Sequence, residues 1–161
     1  MHRHNLTHGS TKLKVLLSNQ LKLLEAVEQA LNQEHDALIG DDPEVLQQAA
    51  NEKSRAVAAY QEASGTLSTW MNENGVSDAA SLEAHVRSLN DSNLLSTHQR
   101  LKELSLHCEE CNKRNGTLIL RLQEKTGKLL GILRGGDAFE GLYSVTGSKE
   151  EDAPGRTLGK A

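Results

Sequence analysis

Residues 101–133 read LKELSLHCEECNKRNGTLILRLQEKTGKLLGIL. Leu101, Leu104, Cys108, Cys111, Asn115, Leu118 and Leu122 follow one another at steps of three and four, and Leu129 keeps the same register. That spacing lays one side chain per turn along a single stripe, as in a helix packed lengthwise on other helices. The stripe carries on through Asn112, Asn115, Gly116 and Gly127, although each glycine costs a helix roughly 1 kcal/mol relative to alanine. Past Gly116 the apolar residues Leu118, Ile119, Leu120, Leu122, Leu129, Leu130, Ile132 and Leu133 occupy more than one side of the helix. A bundle seam covers one side. The remainder needs a second cover: the first helix of the chain, a dimer partner, or another protein.

Working back towards the N-terminus, Leu17, Leu24, Leu31 and Leu38 recur every seven residues, with Leu13, Leu21 and Val27 beside them and Leu16 and Leu23 widening the stripe. This is the period of helices packed nearly parallel or antiparallel. Ser10 or Thr11 is the expected N-cap and Gly40 the expected end, giving a rod of roughly 40 Å. Asp42, Pro43 and Glu44 restart a helix, with Pro at the first helical position and an acid near the positive helix end. So short a link predicts an antiparallel hairpin. The second helix alternates through Leu46, Ala49, Lys53, Ala56, Tyr60, Ala63, Leu67 and Trp70. Lys53 is the one charge in that seam, there either to reach solvent from its edge or to set register. Asn74-Gly75 is a stop signal, Ser77 or Asp78 caps a short helix to about Leu89, and residues 90–93 break it or kink it before the third long helix.

Composition fits this picture. Aromatics make up 2% of the 161 residues and hydrophobics 37%, too few rings for a thick globular core but enough for Leu/Ala seams. No apolar run is long enough to span a membrane, and the start MHRHNLTHGS has no apolar signal region. The net charge of -4 is unevenly spread. Residues 25–91 hold thirteen acids and three bases, whereas residues 112–134 hold six bases and the single acid Glu124. Either the acidic region lies along the basic helix, or the basic segment meets an acidic partner. No aromatic is interleaved for base stacking, so no nucleic-acid partner is expected.

Residues 1–10, with His2, His4 and His8, read as a flexible lead, residues 11–134 as one helical domain, and residues 135–161 as a flexible tail rich in Gly and charge. The tail still contains Phe139, Leu142, Tyr143 and Val145, the makings of a docking element that orders on a partner. The sharpest chemical candidate is His107 with Cys108 and Cys111. A structural zinc site wants a second ligand pair, a redox pair wants a helix start, and both cysteines fall on the seam where a medium-sized apolar residue belongs. No metal, cofactor or catalytic constellation is expected, and the chain does not read as an enzyme.

Asn112, Asn115 and Gly116, followed by Thr117-Leu118-Ile119, resemble the Asn-x-x-Asn-Gly-x-Leu-Ile signature of the FlgN family of flagellar export chaperones. The Leu-rich first helix, the acid-Pro restart at residues 41–44, the Lys/Ala-rich stretch at 51–60 and the tail from Tyr143 to Gly147 are similar to that family too. The resemblance implies a cytoplasmic bacterial chaperone. It would bind the C-terminal helical segment of hook-associated proteins, prevent their premature assembly and deliver them to the flagellar export gate. With the surplus apolar surface of the last long helix, Leu118, Ile119, Leu122, Leu129, Leu130 and Leu133 are the expected client contacts, and Phe139 and Tyr143 the expected docking residues of the tail, at the gate. A homodimer is left open among the partners, and a generic coiled-coil structural or adaptor protein without chaperone role is the competing expectation. Asn115 and Gly116 would then either touch a partner or let a neighbouring helix come close.

The expectation is therefore an all-α protein: an elongated antiparallel helical bundle, made of a long hairpin plus a third long helix, with a disordered C-terminal tail.

Overall fold

The computed structural model describes the backbone of residues 3–133 and the side chains of residues 9–127. Phe139, Tyr143 and the expected tail lie outside the described residues. Four helices follow in order: α1 (Arg3–Gly40), α2 (Pro43–Glu73), α3 (Ala79–Ser88) and α4 (Ser92–Leu133). There is no strand among the described residues. The chain divides into two compact units, residues 1–120 and residues 121–161, and the packing below is that of the first.

The helix ends follow local chemistry. Asp42 caps α2 by accepting hydrogen bonds at Oδ1 from the amides of Glu44 (2.9 Å) and Val45 (3.3 Å), with Pro43 at the first helical position. At the far end the amide of Val76 donates to the Met71 carbonyl at 2.9 Å and that of Gly75 to Asn72 at 3.4 Å. Gly75 has φ 70°, so the Asn74-Gly75 stop is a Schellman turn built on a residue without a Cβ. Asp78 and Ser81 form a reciprocal capping box on α3: the Ser81 amide donates to Asp78 Oδ1 at 2.7 Å, and the Asp78 amide donates to Ser81 Oγ at 3.0 Å. Asn90 takes φ 51° and breaks the chain between α3 and α4, and Asp91 caps α4 through the amides of Asn93 and Leu94.

Two boundaries differ from the sequence expectation. α1 begins at Arg3, upstream of the expected cap at Ser10 or Thr11. A lone Gly9 and a single Ser do not stop a helix that has no proline before Pro43 and a long stripe downstream. At its other end Gly40 stays helical and the left-handed residue is Asp41, φ 59°. Aspartate tolerates that region because its short carboxylate finds local partners.

Polar contacts across the seams give the directions. Lys12 pairs with Glu73, Gln20 with Ser64 and Glu34 with Lys53, so numbers rise on α1 as they fall on α2 and the hairpin is antiparallel. Cys108 meets the Leu24 carbonyl and Asn115 the Leu31 carbonyl, seven residues on along both helices. α4 therefore runs parallel to α1, and the three long helices are arranged up, down, up. Leu17, Leu24, Leu31 and Leu38 are all buried, as the seven-residue period predicts. They join Leu13, Val27, Leu67, Trp70, Val76, Leu82, Val86, Leu94, Leu101, Cys108 and Cys111 in the core. Each buried Leu contributes on the order of 1.5–3 kcal/mol. α3 closes the end where α2 turns back, with His85 edge-on to Trp70 at 5.7 Å.

Candidate functional site

The α4 stripe changes character at Asn115. Leu94, Leu101, Cys108 and Cys111 are buried, and Leu104 is partly so against the core. Asn115 is buried as well, at 1% exposure, but as a hydrogen-bonding group. Its Nδ2 donates to the Leu31 carbonyl at 2.8 Å and to Glu34 Oε2 at 3.0 Å. The other Glu34 oxygen accepts from Lys53 Nζ at 2.6 Å. One carboxylate, 2% exposed, thus joins α1 to α2 and to α4. Lys53 does not simply reach solvent from its seam position; it is the counter-charge of a buried acid. Nothing local in the sequence sets Glu34 apart from the exposed acids, because its partners lie 19 and 81 residues away.

Gly116 is half-buried, and a Cβ added there would meet nothing within 4 Å, so close approach by a neighbouring helix is not its role in this unit. Asn112 is exposed. Among the described side chains of α4 none is buried after Asn115: Leu118 and Ile119 are half-buried, Leu120 is 62% exposed and Leu122 36%. Leu129, Leu130 and Leu133 belong to the α4 backbone, and their side chains lie outside the described ones. Early in α4 the cations are paired across helices, Arg100 with Glu25 at 2.9 Å and Lys102 with Glu83 at 2.8 Å, and His107 lies 3.3 Å from Glu28. Lys102 and Arg87 together hold the Glu83 carboxyl down at about 2. Among the described ion pairs none uses Lys113, Arg114, Arg121 or Lys125. Among the described residues, no ion pair joins this basic segment to the acidic stretch of the chain.

The cysteines occupy the seam as packing groups. Cys108 Sγ sits 3.9 Å from the Leu24 carbonyl, and burial, aided by Glu28 and Cys111, pushes its thiol up to about 11. Among the described residues no group of His, Cys, Asp and Glu could hold a metal ion. A thiolate is the reactive species. A neutral-pH thiol reagent is therefore expected to find almost no fast-reacting cysteine in the native protein and two after denaturation. A native thiol that reacts within seconds would place one cysteine at the surface.

A groove that sequence reasoning did not foresee, of about 430 Å³, lies between the end of α1 and the start of α2. Ala37, Gly40 and Ala49 line it together with Asp36, Asp42 and Glu52. No described helix is long and apolar enough to cross a membrane.

Searches of curated proteins and of solved structures returned no match. A family model described as FlgN protein matches residues 1–151. It spans the hairpin, the Asn115 node and the exposed apolar part of α4 alike, and the chain belongs to the FlgN family of flagellar export chaperones.

Proposed function

We propose that this chaperone binds the C-terminal helical segment of flagellar hook-associated proteins on α4 beyond Asn115, keeps it from assembling early in the cytoplasm, and hands the client to the export gate. Chaperones of the family bind hook-associated proteins. The observation that carries the placement is the absence of any buried described side chain after Asn115 on α4, where leucines continue and the cations have no described ion-pair partner. Segments that polymerise through apolar helices need an apolar strip to shield them, and a helix laid lengthwise supplies one without chemistry. Leu118, Ile119, Leu122, Leu129, Leu130 and Leu133 are the proposed contacts. Phe139 and Tyr143 are the proposed docking residues at the gate.

The double variant Leu122→Asp/Leu129→Asp is expected to lose co-purification with a hook-associated protein while its circular-dichroism helicity stays within a tenth of the parent's. Normal client recovery by that variant would move the site elsewhere. A stable dimer in light scattering that takes up no flagellar client would favour the coiled-coil adaptor instead.

A further inference from the structure

We infer that Glu34, Lys53 and Asn115 form a register lock: a buried polar layer joining α1, α2 and α4 that selects one axial position of α4 along the α1–α2 hairpin, and so sets where Leu118 and Ile119 are presented. The apolar seam does little to choose that position. On α1 it offers Leu17, Leu24, Leu31 and Leu38, and on α4 Leu94, Leu101 and Cys108, each set repeating every seven residues. A slide of one repeat moves α4 by about 10 Å and sets leucine or cysteine against leucine again at most levels. At the Asn115 level the slide takes a buried side chain away from its hydrogen-bond partners. After a slide its amide would lie against Leu24 or Leu38, and Glu34 would lose the 3.0 Å bond that completes its pairing with Lys53. A polar group buried at one seam position is the best-attested device for fixing the register of packed helices.

Other links between α1 and the start of α4 are weaker guides. Lys14–Asp91 and Arg100–Glu25 have at least one partner well exposed to water, where ion pairs contribute little. The Asn115 layer is also the last buried level of the described α4. It therefore marks the boundary between the part of the helix held by the bundle and the part left uncovered. These are positioning residues; none of them is offered to the client.

The test replaces the layer by apolar groups of similar size, Glu34→Leu/Lys53→Met/Asn115→Leu. Nitroxide labels go on the exposed positions Ser18→Cys of α1 and Lys113→Cys of α4, with the buried native cysteines left unlabelled. Pulsed dipolar spectroscopy of the unsubstituted layer is expected to give one narrow distance. The triple variant is expected to melt no lower than the parent, yet to show a broadened distribution with populations displaced by up to about 10 Å. Lys53→Arg, which keeps the charge, should retain the single distance. Should the triple variant not fold, Asn115→Leu alone is read in the same way.

One unchanged narrow distance in whichever apolar variant folds would overturn the lock. The consequence for clients rests on the proposed function, and its probe is a purified hook-associated protein, whose affinity should fall at least tenfold when the register broadens. A fall in affinity with the distance unchanged would overturn the inference, because the layer would then touch the client itself. If the register broadens while Leu122→Asp/Leu129→Asp still binds, the lock stands and the proposed site fails.

Discussion

Trp70→Ala is expected to lower the stability of the fold by about 3–5 kcal/mol, the largest loss from any single truncation in the core. Trp70 is the chain's one tryptophan and is 2% exposed. It lies in the last turn of α2, where three features converge. Its carbonyl accepts from the Asn74 side chain at 2.7 Å, its ring meets His85 of α3 edge-on, and the Schellman turn beside it reverses the chain. Removing the indole leaves a hole at the junction of α2 and α3, where a ten-residue helix has little other apolar area to hold it. Thermal unfolding followed at 222 nm should shift down by roughly 10 °C for a chain of this length. Trp70→Phe should lose much less, because a ring remains. A loss under about 1 kcal/mol for the alanine variant would mean that the junction collapses around the gap.

The second large effect is an asymmetry at the buried layer. Lys53→Met should cost about 3–5 kcal/mol, because it leaves the Glu34 carboxylate, 3% exposed at its side chain, without a counter-charge. Lys53 itself keeps 24% of its side chain in contact with water, so Glu34→Gln should cost less: the stranded ammonium can turn outward while the amide still faces Asn115. Combining the two substitutions should recover most of the Lys53→Met loss, because a neutral pair needs no charge solvated in the interior. Urea unfolding of the parent, both single variants and the double variant measures the coupling directly. Equal losses for the two single variants, adding up in the double variant, would show that Glu34 and Lys53 do not depend on each other.

Both effects sit where reading the chain was unequally informative. The seven-residue leucine period of α1, the Asp42-Pro43 restart, the Asn74-Gly75 stop and the Asp78 cap each depend on residues within a turn or two of one another. All appear in the structure where the residues indicate. The start of α1 does not, because nothing near Gly9 is strong enough to end a helix that its neighbours favour. Gly40 and Asp41 exchanged roles for a related reason: either residue can take a left-handed conformation, and the choice depends on how the two long helices meet.

The family signature shows the limit most plainly. Asn112, Asn115 and Gly116 looked alike in the sequence, as interruptions of one helix. In the folded chain Asn112 is exposed, Gly116 has open space beside it, and Asn115 is at the centre of a three-helix contact. The sequence alone determined that this protein is helical, how many long helices it has, and which stripe of each is apolar, because those properties arise from neighbours within a few residues. The tertiary structure decided that α4 runs parallel to α1 and that a glutamate from the first helix accepts the Asn115 amide. It also decided that burial along the described part of α4 stops at that level. Those outcomes depend on groups up to 84 residues apart meeting in a low-dielectric seam, where an unpaired polar group is too costly to leave.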